Sequence, residues 1–94
     1  MTKKERFNRL SELGCVVCLR YYGVHTQPLI HHLTGIKYRS TGKKASDDHT
    51  IPLCATHHQY PSKDNPSIHT DPKLFTEMYG TQEELLNITN GLIR

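Results

Sequence analysis

The chain has 94 residues, 35% of them hydrophobic and 7% aromatic, with no tryptophan and a formal net charge of +3. That length suits one domain rather than two independent cores, and so modest an apolar fraction asks for a disulfide or metal staple. No run is long enough to cross a membrane; the three cysteines cannot all pair and the opening "MTKKERFNRL" lacks a signal-like apolar stretch, so a reducing, cytoplasmic setting is expected, where cysteine spacing points to metal.

In chain order, residues 2–13 read as a short helix. Thr2 can cap it, Phe7, Leu10 and Leu13 share a stripe, and Gly14 stops it. "CVVCLRYYGVHTQ" (15–27) reads as a turn-rich knuckle leading into an extended segment. "PLIHHL" (28–33) reads as a strand opening at a proline, and 34–48 as a polar loop with two glycines at turn positions. "TIPLC" (50–54) is a second short strand, and "ATHHQY" (55–60) opens a helix that ends before Pro61. Asp71 followed by Pro72 pairs a cap with a first-turn proline, and Leu74, Phe75, Met78 and Tyr79 supply an apolar face closed by Gly80. Thr81 with Glu84 three residues on is a capping box for a last helix through about Ile88. Phe75, Met78 and Leu85 are expected in the core. The organisation is an N-terminal helix (1–14), a middle segment (15–70) and C-terminal helices (71–94).

Cys15 and Cys18 are spaced C-x-x-C, and Cys54 and His57 are spaced C-x-x-H. A knuckle lets two thiolates converge on one ion, and residues i and i+3 of a helix share a face, so the second pair converges too. Three thiolates and one imidazole close a tetrahedral Zn²⁺ site with no open position. The bland alternative is a set of small core cysteines. The 35 residues between the pairs exceed ordinary zinc-finger spacing, which implies a structural insert.

Histidine is the other excess, with seven in the chain. His58 follows His57 on the helix and points about 100° away, so it looks toward other neighbours. A hairpin of the two strands with the helix laid across it brings His31, His32, His49 and His58 together as a second cluster. In a regular strand His31 and His32 face opposite sides, so both reaching one site takes a bulge or a sharp twist. His25 reads as structural or surface. Lys37, Arg39, Lys43 and Lys44 lie in the loop between the strands with no acid among them, which suits phosphate binding or a solvated surface alike.

"IHHL", then His49 five residues before the cysteine of "HTIPLC", then "CATHH", resemble the HNH nuclease motif of the ββα-metal fold. Closest are the phage recombination-enhancement (Ref-like) nucleases, similar in the "LC-x-x-HH" step, a later lone histidine and a tail like "FTEMYGTQEELL"; the resemblance covers about residues 15–88. It implies an α+β fold, a small zinc-stapled ββα-metal (His-Me finger) core with flanking helices. It also implies a site in which His31, His58 and His69 hold a catalytic Mg²⁺ or other divalent ion, and His32 is the general base. His49 stands where the family has Asn and is carried over with His32 as catalytic, its part as ligand, base-orienter or phosphate contact left open. The departures are His57 for a fourth cysteine and His49 for Asn.

The resemblance implies a metal-dependent DNA endonuclease or nickase, in a bacterium or a phage-infected host, with a recombinase filament as a suggested partner. The chemistry suits imidazole, which near its ordinary pKa of ~6.5 is largely neutral at physiological pH and can accept a proton from water. The alternative is a non-catalytic zinc-stabilised module that binds DNA or a protein; a metal-sensing regulator ranks behind both for want of a recognition helix. The sequence leaves monomer or dimer open.

Overall fold

Thr2 accepts from the Glu5 backbone N–H while Glu5 reaches back to the Thr2 N–H, and this capping box opens helix α1, Lys3–Leu13. A computed structural model describes residues 1–38 and 45–94. After α1 come strand β1 (Pro28–His32), strand β2 (Thr50–Cys54), helix α2 (Ala55–His58), helix α3 (Pro72–Tyr79) and helix α4 (Gln82–Ile93). The architecture is a small α+β fold. Its two-stranded antiparallel sheet pairs Pro28 with Cys54 and runs through His32 opposite Thr50. Among the described residues, no helix is long and apolar enough to cross a membrane.

Gly14 ends α1 at φ 82°, a backbone state that L side chains rarely adopt. A Cβ there would also sit 2.7 Å from the His25 ring. That ring donates from Nε2 to the Glu12 carbonyl (3.2 Å), so His25 helps close the C-terminal end of α1. The expected knuckle at 15–27 is helical in its first half: residues 16–22 are helical, with Cys18–Tyr22 a π-helical turn that ends at Gly23 in the left-handed region, and 23–27 lead on to β1 without regular structure.

All five residues of β2 are buried, which fits a strand packed on both faces. Leu33, Ile51, Leu53, Phe75, Tyr79, Leu85 and Leu86 form the core with Val16 and Val17. Met78, expected with them, is 41% exposed. Phe75 and Tyr79, one turn apart, take the inward face of α3 and leave Leu74 and Met78 on its flank. Helix α4 continues to Ile93, five residues beyond the expected Ile88, because Thr89 and Ile93 are both buried one turn apart.

Arg6 is buried and ties three elements together. Its Nε donates to Thr50 Oγ1 (2.9 Å), Nη2 to the Thr50 carbonyl (2.7 Å) and Nη1 to Asn90 Oδ1 (2.9 Å). Burial lowers its pKa from the ordinary value, and the charge of Asp48 partly offsets this. Arg6→Ala removes all three bonds and leaves Thr50 acceptors buried without them. We expect it to cost about 2–4 kcal/mol in urea unfolding; a loss below about 1 kcal/mol would mean that the three bonds contribute little net stability.

Candidate metal centres

Cys54 closes β2 and is also the residue from which α2 starts, so His57 falls three residues on and faces back toward it. The helical turn after α1 brings Cys15 and Cys18 to the same point. Cys18 Sγ lies 3.8 Å from Cys54 Sγ, and His57 Nδ1 lies 3.8, 3.5 and 3.2 Å from the sulfurs of Cys15, Cys18 and Cys54. A tetrahedral zinc with Zn–S near 2.3 Å and Zn–N near 2.0 Å has S···S edges of about 3.8 Å and N···S edges of about 3.5 Å. The cluster is therefore already at the size of that ion's first coordination sphere. Burial pushes the Cys15 thiol up to about 12 and raises Cys18, so an incoming cation must displace their protons.

The ring of His57 is set for the task. Its Nε2–H donates to Asn65 Oδ1 (3.3 Å), which leaves Nδ1 with the lone pair that faces the sulfurs. Asn65 also accepts from the Tyr79 hydroxyl (3.3 Å), and the Tyr79 and Tyr22 hydroxyls bond each other at 2.9 Å. Tyr22 stacks on the imidazole at 6.3 Å and 10° between planes, and Tyr79 meets it edge-on at 5.1 Å.

A second cluster lies at the other side of α2. The ligand atoms of His31, His58 and His69 all fall within 4.8 Å of one another. His58 Nε2 and His69 Nε2 are 3.1 Å apart, and the His31 ring meets each of the other two at 5.2 Å between centroids. His69 arrives by a return segment that docks on α2: the Ile68 N–H donates to the His57 carbonyl (2.8 Å) and the His69 N–H to the His58 carbonyl (3.2 Å). Two imidazole nitrogens on an octahedral or tetrahedral ion stand about 2.9–3.4 Å apart, so this donor set fits a divalent cation. The two Nε2 atoms are at hydrogen-bond distance, so one ring donates to the other, and for both to face an ion the donor ring must carry its proton on Nδ1 instead.

His31 is buried, and burial lowers its pKa to about 4, partly offset by its bond to Gln82. His58 is lowered as well, chiefly by burial. Both changes favour the neutral imidazole that binds metal. Gln82, at the start of α4, fixes the His31 ring from 51 residues away. Its Oε1 accepts from the Thr34 N–H (2.9 Å) and its Nε2 donates to the Thr34 carbonyl (3.2 Å), which sets the amide's orientation. His31 Nε2–H must then donate to Oε1 (3.1 Å), leaving Nδ1 as the lone-pair nitrogen.

His32 does not join this cluster of rings. The strand ladder runs without a bulge, with His31 opposite Ile51 and His32 opposite Thr50, so the pleat sends the two side chains to opposite faces. His32 lies beside Phe7 of α1, edge-on at 6.4 Å, and its Nε2 bonds Asp47 Oδ1 at 2.9 Å. It is still close enough for its charge to act on His31. His49 sits in the turn before β2, with Nδ1 3.2 Å from Ser46 Oγ and its ring 5.6 Å from that of Tyr38. Lys37 is exposed and paired with Glu83 at 2.9 Å. Arg39, Lys43 and Lys44 lie outside the described residues. Sequence reasoning missed Asp47, Asn65 and Gln82, whose partners are distant in sequence or meet only through folding.

These features define a small α+β protein with, among the described residues, two separate donor clusters, each of a size and chemistry suited to a divalent ion. The whole chain, residues 1–94, matches the family described as recombination enhancement, RecA-dependent nuclease, and the protein belongs to that family. Over 56 residues, 60% of this chain, it is 39% identical to YdfU, an uncharacterized protein of Escherichia coli strain K12. The chain spans a small part of that relative, 14% of its length.

Proposed function

We propose that the protein is a metal-dependent DNA endonuclease or nickase of HNH type, acting in recombination on DNA held by a RecA filament. The observation that carries this reading is the second cluster: three imidazoles converge beside, but separate from, a complete Cys₃His set. The hairpin β1–β2 followed at once by α2 supports a ββα-metal core, and family membership supports nuclease chemistry.

Cys15, Cys18, Cys54 and His57 hold a structural zinc. His31, His58 and His69 hold the catalytic ion, which when bound supplies charge neutralisation at the leaving 3′ oxygen. An all-nitrogen donor set suits a later transition ion such as Zn²⁺ or Ni²⁺ best, and takes Mn²⁺ more readily than Mg²⁺, which holds most firmly to oxygen. His32, next to the ligand His31 at the end of β1 and near enough for its charge to act on that ring, takes a proton from the attacking water on the side of the phosphate away from the ion, and the water's oxygen forms the new bond to phosphorus. The bond from phosphorus to the 3′ oxygen breaks, and that oxygen takes up a proton from solvent, leaving 5′-phosphate and 3′-hydroxyl ends. Lys37, released from Glu83, and Arg39, Lys43 and Lys44 hold the phosphate backbone without reading sequence.

Supercoiled plasmid tests the reading directly. With a RecA filament paired to it, or without one, the zinc-loaded protein should nick in Mn²⁺, more slowly in Mg²⁺, and not at all in EDTA. Inertness in every divalent ion, with and without the filament, would contradict it.

A further inference from the structure

We propose that Asp47, not His49, is the residue that positions His32 for proton transfer. The inference rests on the reading of His32 as general base and adds to it the group that aims the ring.

An imidazole that must take a proton at one nitrogen has to be held through the other, or it turns about its side-chain bonds and exchanges tautomers. Asp47 does this holding. A carboxylate only accepts, so His32 Nε2–H donates to Asp47 Oδ1 at 2.9 Å and Nδ1 keeps the lone pair. Phe7, edge-on at 6.4 Å, backs the same ring. The carboxylate's charge also faces the ring that becomes positive when it takes the water's proton.

Asp47 is itself fixed by the turn that carries it. The His49 N–H donates to the Ser46 carbonyl (3.0 Å), and Thr50 Oγ1 donates to the Asp47 carbonyl (2.8 Å). Thr50 in turn is gripped by the buried Arg6. Lys3 stands 3.7 Å from the other carboxylate oxygen, an exposed contact. His49 has its contacts elsewhere. Its ring bonds Ser46 and meets Tyr38, and its carbonyl accepts from the Leu33 N–H at 3.0 Å, closing the hairpin. The position that the resemblance gives to a base-orienting Asn thus serves the hairpin, and the orienting contact has passed to a carboxylate two residues earlier.

The test is plasmid nicking in Mn²⁺ by zinc-loaded wild type, Asp47→Ala, Asp47→Asn and His32→Ala, with NMR of the His32 ring. Asp47→Ala should lower kcat by roughly 10²-fold with KM for DNA unchanged. Asp47→Asn, whose Oδ1 still accepts from Nε2–H, should retain more of kcat than Asp47→Ala. A slowly exchanging ring N–H of His32 should be seen in wild type and Asp47→Asn and be lost in Asp47→Ala. If His32→Ala is inactive while Asp47→Ala keeps wild-type kcat, the positioning role is overturned and the base survives. A rise in KM alone in Asp47→Ala would make Asp47 a contact to DNA and overturn the proposal too. Wild-type cleavage by His32→Ala would remove the base and, with it, this role for Asp47.

Discussion

Cys54→Ser is expected to leave the chain without a cooperative unfolding transition at room temperature. A structural zinc contributes on the order of 10 kcal/mol of folding free energy in small domains, and domains of ordinary stability have about 5–15 kcal/mol in total. Cys54 joins β2 to α2 and is a member of the set that also holds the Cys15–Cys18 turn, so its loss uncouples three segments together. Dialysis against a strong chelator should give the same result, with zinc released in proportion to unfolding. His57→Cys, which keeps a tetrahedral donor set, should retain both zinc and fold. If Cys54→Ser melts within a few degrees of wild type, the three thiols are buried packing and the staple lies elsewhere.

His32→Ala is expected to abolish most of the cleavage, by roughly 10²–10⁴-fold in kcat, which is the usual worth of a positioned general base. Neither cluster should notice. His32 contributes no atom to either donor group, and its partners are Phe7 and Asp47. Zinc content, Mn²⁺ affinity and DNA binding should therefore stay near wild type, and the measurement is single-turnover nicking beside metal analysis of the same sample. A non-catalytic binding module would instead show no metal-dependent cleavage in wild type. Cleavage unaffected by the substitution would place the base on another group.

The parts of this molecule that sequence reveals are those set by local spacing. C-x-x-C and C-x-x-H each converge because a turn or one helical step brings positions three apart to one face, and both pairs do meet in the fold. The cap at Thr2 and the capping box at Thr81 are equally local, and Glu5 completes a box at the first as well. The bulge or twist expected to bring His31 and His32 to one site is absent: the ladder of β1 is unbroken, and the plain alternation of a strand keeps the two side chains apart. His69 was within reach of inference only as a lone histidine, because what delivers it is the backbone pairing of the 67–69 segment with the end of α2.

Other features are tertiary and leave little trace in sequence. Gln82 reads as an ordinary first-turn residue of α4, yet it fixes a ring in β1. Asp47 reads as loop polarity, and only closure of the hairpin puts it on His32. Asn65 gains its meaning from folding back over α2. The extension of α4 past Ile88 runs through Asn90 and Gly91, poor helix formers that lose to the burial of Thr89 and Ile93. Met78 shows the converse: apolar spacing marked a face of α3, but Phe75 and Tyr79 filled the available contact first.

The proposed chemistry needs two ions in two different kinds of site within one small frame. Crystals of protein loaded with one equivalent of Zn²⁺, soaked in Mn²⁺ with no free Zn²⁺ and measured for anomalous differences at both absorption edges, are the test. Zinc should be found among Cys15, Cys18, Cys54 and His57, and manganese bound by the rings of His31, His58 and His69. A single ion in the cysteine set, with those three imidazoles bonded only to one another and to protein, would contradict it.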